Sequence, residues 1–96
     1  MNINFITDIF DGCGDEFKRT DLPPGSAAWA YQGDEIQSLL FICPCGGARI
    51  RSVPVRGDRK WDWNGNETLP TLTPSILIVG ECRWHGYLTN GEWRTV

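Results

Sequence analysis

Residues 75–93 read Ser-Ile-Leu-Ile-Val-Gly-Glu-Cys-Arg-Trp-His-Gly-Tyr-Leu-Thr-Asn-Gly-Glu-Trp, and this stretch decides the fold. Ser75 to Val79 is a continuous apolar strand running toward Cys82 and His85. Tyr87-Leu88 and Trp93 flank Asn90-Gly91, the dipeptide of a type I′ hairpin, so the C-terminus is expected to be a hairpin. Working back along the chain, Ile36 to Ile42 is apolar and reads as a buried strand. A helix fits its composition, but the segment is short and Pro44 stops it. Ala48, Ile50 and Ser52 alternate with Arg49 and Arg51, the pattern of a half-buried strand. The alternation slips at Val53-Pro54-Val55, which predicts a bulge or a strand edge. Ala27 to Tyr31 reads as a short strand ending at Gly33-Asp34. Asp11-Gly12, Cys13-Gly14-Asp15, the Leu22 to Ser26 segment and residues 57–66 read as turns and loops. The expectation is an all-β fold with little or no helix, one domain over residues 1–96, with 1–25 as a loosely packed N-terminal segment.

Composition narrows the function. A chain of 96 residues with 41% hydrophobic content is long enough for one modest core, and many domains of this size lean on a metal or on disulfides. The net charge of −3 argues against a nucleic-acid partner, which usually meets a basic stripe. Arg49, Arg51, Arg56 and Arg59 are read as the solvated face of a strand and a loop. No apolar run approaches the ~20 residues of a membrane helix. The N-terminus lacks a basic region and carries Asp8, so no secretory signal is expected and the cytoplasm is the expected compartment. Cysteines stay reduced there, and clustered ones read as metal-binding or catalytic.

Cys43-Pro44-Cys45-Gly46-Gly47 and Cys82-Arg83-Trp84-His85-Gly86 supply three cysteines and the chain's single histidine. Four thiolate and imidazole ligands are what one tetrahedral zinc ion needs. Pro44 stiffens the first turn, and Gly46 and Gly47 let the backbone fold back so that N–H groups point at the sulfurs. Each pair lies at the end of an expected strand, the plan of a zinc ribbon with two facing knuckles. The alternative is three buried cysteines and a satisfied histidine. Cys13 is read as a free thiol.

Between the pairs, residues 61–76 are dense in Trp, Asn, Thr and Ser. Trp61, Trp63, Asn64, Thr71 and Thr73 could line a pocket for an extended peptide tail, with aromatic walls and a few polar hooks. The plainer reading is a core tryptophan and a loop that hydrogen-bonds itself. Pro70 and Pro74 bracket a segment that cannot be a helix and is poor as a central strand. Ser75 could bond a ligand or polarise a substrate carbonyl, or be an ordinary turn residue.

Two resemblances rest on these motifs. Cys82-Arg83-Trp84-His85-Gly86-Tyr87, followed by Gly91, is similar to the second half of a Rieske iron–sulfur motif. The first half departs from it, because Cys45 stands where a Rieske site has histidine, and two histidines define that cluster. A second resemblance covers most of residues 22–96. It runs through Pro23-Pro24-Gly25-Ser26, Cys43-x-Cys45-Gly46, Trp61-x-Trp63, the Pro70 to Ile76 run, Cys82-x-x-His85 and Gly91. These motifs resemble the small bacterial and phage proteins grouped as domain of unknown function 6527. That resemblance implies zinc-dependent peptidase activity on ubiquitin-like conjugates. It carries over Cys43, Cys45, Cys82 and His85 as ligands and Ser75 as the proline-following serine.

Three readings stay open. One is a zinc peptidase of ubiquitin-like tails or conjugates, which needs an open coordination position and a general base. Glu81 is the carboxylate nearest the ligands in sequence, with Asp62 and Glu67 in the loop. The second is a protein-binding module on a structural zinc. The third is an electron-transfer domain holding a Cys3His iron–sulfur cluster.

Overall fold

Asn90 and Gly91 both take positive φ, 48° and 73°, as a two-residue type I′ turn requires. They join β7 (Trp84–Thr89) to β8 (Glu92–Thr95), with Thr89 opposite Glu92. The computed structural model describes residues 1–7, 9–10, 21–47, 49–79 and 83–96. Six more strands precede this hairpin: β1 (Asn4–Phe5), β2 (Ser26–Gln32), β3 (Glu35–Ile42), β4 (Ile50–Pro54), β5 (Asp62–Trp63) and β6 (Leu72–Ile78). They form two four-stranded sheets in the orders β1-β2-β3-β4 and β5-β6-β7-β8, and neither closes into a barrel. The all-β expectation therefore holds. No helix occurs among the described residues, so none is long and apolar enough to cross a membrane.

The core lies between the sheets. Leu39, Phe41, Cys43 and Val53 from one sheet meet Leu72, Ile76, Ile78, Trp84, Leu88 and Trp93 from the other. Trp93 centres the cluster, 4.8 Å from Phe41 and edge-on to Trp84 at 5.7 Å and 84°. Its Nε1–H donates to the Gly25 carbonyl at 2.9 Å, so the buried indole leaves no orphan donor. The outer face of the first sheet carries a second cluster of Ile9, Ala28 and Ile42 with Ile6, Leu22, Leu40 and Ile50. The first residues are tied in as well. Ile3 N–H donates to the Gly91 carbonyl and Trp93 N–H to the Met1 carbonyl, both at 2.7 Å.

The structure differs from the sequence reading in three places that matter for the site. β6 starts at Leu72, not at Ser75, because Leu72 and Thr73 pair with Trp63 and Asp62 of β5. The Thr73–Pro74 bond is cis, and the register with β7 shifts between Leu72 and Ile76. Proline is tolerated in this strand because it sits at an irregularity and not in the regular ladder. Arg51 is not on a solvated face. It pairs with Phe41 across β3 and β4, and its Nε is buried with no hydrogen-bond partner. His85 is not at a strand-end turn but inside β7, directly opposite Leu77. Ala48 and Cys13 lie outside the described residues.

Candidate active site

The register of β6 on β7 assembles the site. Alternation along β6 buries Ile76 and Ile78 and turns Ser75, Leu77 and Val79 outward. Along β7 it buries Trp84, Gly86 and Leu88 and turns His85 and Tyr87 outward. Leu77 and His85 are directly opposite, so Ser75 is the diagonal neighbour of His85 on the same face. The two side chains meet there: His85 Nε2 lies 3.0 Å from Ser75 Oγ. With the ring proton on Nδ1, Nε2 accepts the serine proton, as a general base must. Ser75 is half-buried and His85 exposed, so the pair faces solvent from a rigid sheet.

Gly86 makes this part of β7 possible. A Cβ there would run into the Arg94 carbonyl and into the Trp84 ring, whose Cη2 is 2.6 Å away. The indole lies across the glycine and its Nε1–H donates to Thr95 Oγ1 at 3.0 Å. Behind the serine, Trp61 is fixed by its N–H on the Pro54 carbonyl at 2.8 Å. Its Nε1–H reaches the Ser75 carbonyl at 3.4 Å. Trp61 is thus the tryptophan of the 61–76 segment that touches the serine.

The other residues expected to line a pocket are engaged with one another. Asn64 Oδ1 accepts from Asn66 N–H at 3.0 Å and from Thr71 N–H at 3.2 Å. Asn66 Oδ1 accepts from Thr68 N–H, Leu69 N–H and Thr68 Oγ1, at 2.9, 2.9 and 3.0 Å. Trp63 packs against Trp29 with ring centroids 4.8 Å apart and the planes tilted by 41°, and its Nε1–H donates to the Asn66 carbonyl at 3.0 Å. Thr71 Oγ1 accepts the Asn90 N–H at 2.9 Å. Thr73 is exposed on β6, opposite Asp62. These contacts build a rigid loop that joins the two hairpins of its sheet.

The first cysteine pair follows β3 as expected. Gly47 N–H donates to Cys45 Sγ at 3.3 Å, so the glycine turn does aim an amide at a sulfur. Cys43 is fully buried in the core, and burial pushes its thiol up, against the pull of the Cys45 amide and the Arg51 charge. Cys45 is disulfide-bonded, and in that state it offers a metal no thiolate. His85 Nε2 faces Ser75. Two of the expected ligands are thus engaged otherwise and do not fit a four-ligand zinc site as they stand. Cys82 and Glu81 lie outside the described residues. Among the described residues no three His, Cys, Asp or Glu side chains gather as a cation site.

Sequence reasoning named both Ser75 and His85 but placed them in different roles. The signal that joins them is the strand phase. Both stand on the outward phase of strands that pair through the chain between Val79 and Trp84.

Comparison with family models gives one match, over residues 11–96, to a family described as bacterial ubiquitination-like system serine protease (BubE). No curated protein and no solved structure matches the chain. The match corrects the assignment to domain of unknown function 6527, and the Rieske-like half-motif finds no support in it. The histidine of that half-motif faces a serine hydroxyl, as the name of a serine protease family would have it. The chain belongs to the BubE family, the serine proteases of bacterial ubiquitination-like systems.

Proposed function

We propose that this chain cleaves the peptide or isopeptide bond at the tail of a ubiquitin-like protein, with Ser75 as nucleophile and His85 as general base. The observation that carries the reading is the 3.0 Å contact between His85 Nε2 and Ser75 Oγ. Ser75 Oγ–H gives its proton to Nε2 as Oγ attacks the scissile carbonyl carbon. The carbon–nitrogen bond then breaks, and the same proton passes to the leaving amine. Water, giving its proton to His85, then attacks the acyl-serine ester; the bond from the acyl carbon to Oγ breaks, His85 returns that proton to Ser75 Oγ, and the new carboxylate leaves. Glu81, the carboxylate expected from sequence to act as general base, lies outside the described residues and is given no role in these steps. The family match supports a protease in a ubiquitination-like system, and a ubiquitin-like protein as the partner is part of this proposal.

This differs from the zinc peptidase expected from sequence. A single histidine nitrogen cannot hold a metal and accept the serine proton at once. No step here passes through a metal. The test is cleavage of a ubiquitin-like protein from the same system, carrying a C-terminal extension. Ser75→Ala and His85→Ala are each expected to lower the rate by about 10³-fold or more. Full activity in either variant would overturn the assignment.

A further inference from the structure

Two hydrogen bonds on opposite sides of the sheet fix which way the main chain of β6 faces. Ser75 presents its carbonyl to Trp61 Nε1, on the side away from β7. The His85 carbonyl accepts from Val96 N–H at 2.9 Å, on the β8 side. His85 therefore turns its main chain away from β6, and its opposite partner Leu77 is in a non-hydrogen-bonded pair. In an extended strand the N–H and C=O of one residue point the same way. Leu77 thus turns both groups, like Ser75, toward the far edge of β6. On that edge β5 pairs with Leu72 and Thr73 and ends there. Among the described residues β5 and β7 are the strands in contact with β6. On that far edge, the stretch from Pro74 to Ile78 therefore has no strand beside it among the described residues.

We infer that this open edge is the substrate-binding strand: an extended peptide pairs with the main chain of Leu77 and brings its scissile carbonyl to Ser75 Oγ. The inference rests on the Ser75–His85 reading. Main-chain donors and acceptors in a row call for another main chain in extended form, which a flexible tail supplies and a folded surface does not. Trp61 already caps the Ser75 carbonyl, so Leu77 offers the first open donor–acceptor pair. β5 holds the neighbouring position in this sheet and runs antiparallel to β6. A tail in line with it would run from Leu77 toward Ser75. The residue paired with Leu77 then lies two before the one at Ser75, about 7 Å along the strand. The acyl side of the scissile bond is what the edge binds. The partner's folded body stays beyond the Ile78 end. Leu77 and Val79, both exposed, give the tail an apolar flank.

The experiment uses the full chain and a library of acyl-tetrapeptide aminocoumarins, the best substrate being remade with single N-methyl amides. N-methylation at the third residue counted back from the scissile bond removes the donor to Leu77. It is expected to lower kcat/KM about tenfold or more. N-methylation at the second residue, whose N–H points away, is expected to cost less than threefold. Leu77→Pro deletes the edge N–H at a position where an edge strand tolerates proline. It is expected to lower peptide cleavage at least tenfold more than hydrolysis of a small activated ester. Should Leu77→Pro fail to fold, the N-methyl series on the unaltered protein decides alone. Normal cleavage of the third-residue N-methyl peptide overturns the inference. If Ser75 still reacts with a fluorophosphonate in that case, the Ser75–His85 reading stands. If Ser75 does not react, that reading falls and takes the inference with it.

Discussion

Replacing Gly86 with alanine tests whether β7 is as tightly set as the site requires. The added Cβ would meet the Arg94 carbonyl and the Trp84 ring. The carbonyl belongs to the β7–β8 ladder and cannot rotate aside, so the indole must move. Moving it strains the Nε1–H bond to Thr95 Oγ1 and the edge contact with Trp93. Overpacking costs about 1–3 kcal/mol, the hydrogen bond about 1 kcal/mol and the aromatic contact about 0.5–1.5 kcal/mol. The expected loss is about 3–5 kcal/mol, a large part of the ~5–15 kcal/mol that holds a domain of this kind. Urea unfolding followed by tryptophan fluorescence measures it, with Gly33→Ala as the control. Gly33 has φ +63° but open space around it, so its alanine variant carries only the left-handed backbone cost of about 1–2 kcal/mol. A Gly86→Ala protein within 1 kcal/mol of the unaltered chain would refute the packing argument, since two independent obstructions would have vanished at no cost.

Two further outcomes follow from named contacts. Asn66→Ala removes the acceptor of three hydrogen bonds in an exposed loop. It is expected to cost about 1–2 kcal/mol by analogy with a lost helix cap, read from the urea midpoint. No change in midpoint would show that the loop does not need its asparagine. Trp61→Phe keeps most of the packing but deletes the Nε1–H that holds the Ser75 carbonyl. The expected result is a fall in kcat of about three- to tenfold with KM little changed, since what is lost is the placement of the nucleophile. An unchanged kcat would remove Trp61 from the site.

Much of the scaffold is legible in the sequence, because the signals are local. Asn90-Gly91 fixes its own hairpin, the apolar run at Ile36–Ile42 falls inside β3, and the run at Ser75–Val79 overlaps β6 as far as Ile78. What stays hidden depends on register. Whether Ser75 meets His85 turns on how β6 slides along β7, and the shift between Leu72 and Ile76 sets that slide. A cysteine-rich sequence draws the histidine toward a metal by composition alone, while its partner is a serine ten residues back. Arg51 shows the same limit. Alternation with Ile50 and Ser52 suggests a solvated side chain, yet pairing with Phe41 places it on the inner face. The polar loop at Asn64–Leu69 was legible in its residue types but not in how completely its side chains bond within it.

The most direct measurement of the central claim is mass spectrometry of the intact protein after treatment with a fluorophosphonate in the presence of a zinc chelator. The account predicts a single adduct on Ser75, abolished in His85→Ala, with cleavage of the extended ubiquitin-like protein persisting in the chelator. No adduct on Ser75, together with cleavage that stops in the chelator and returns with zinc, would contradict it.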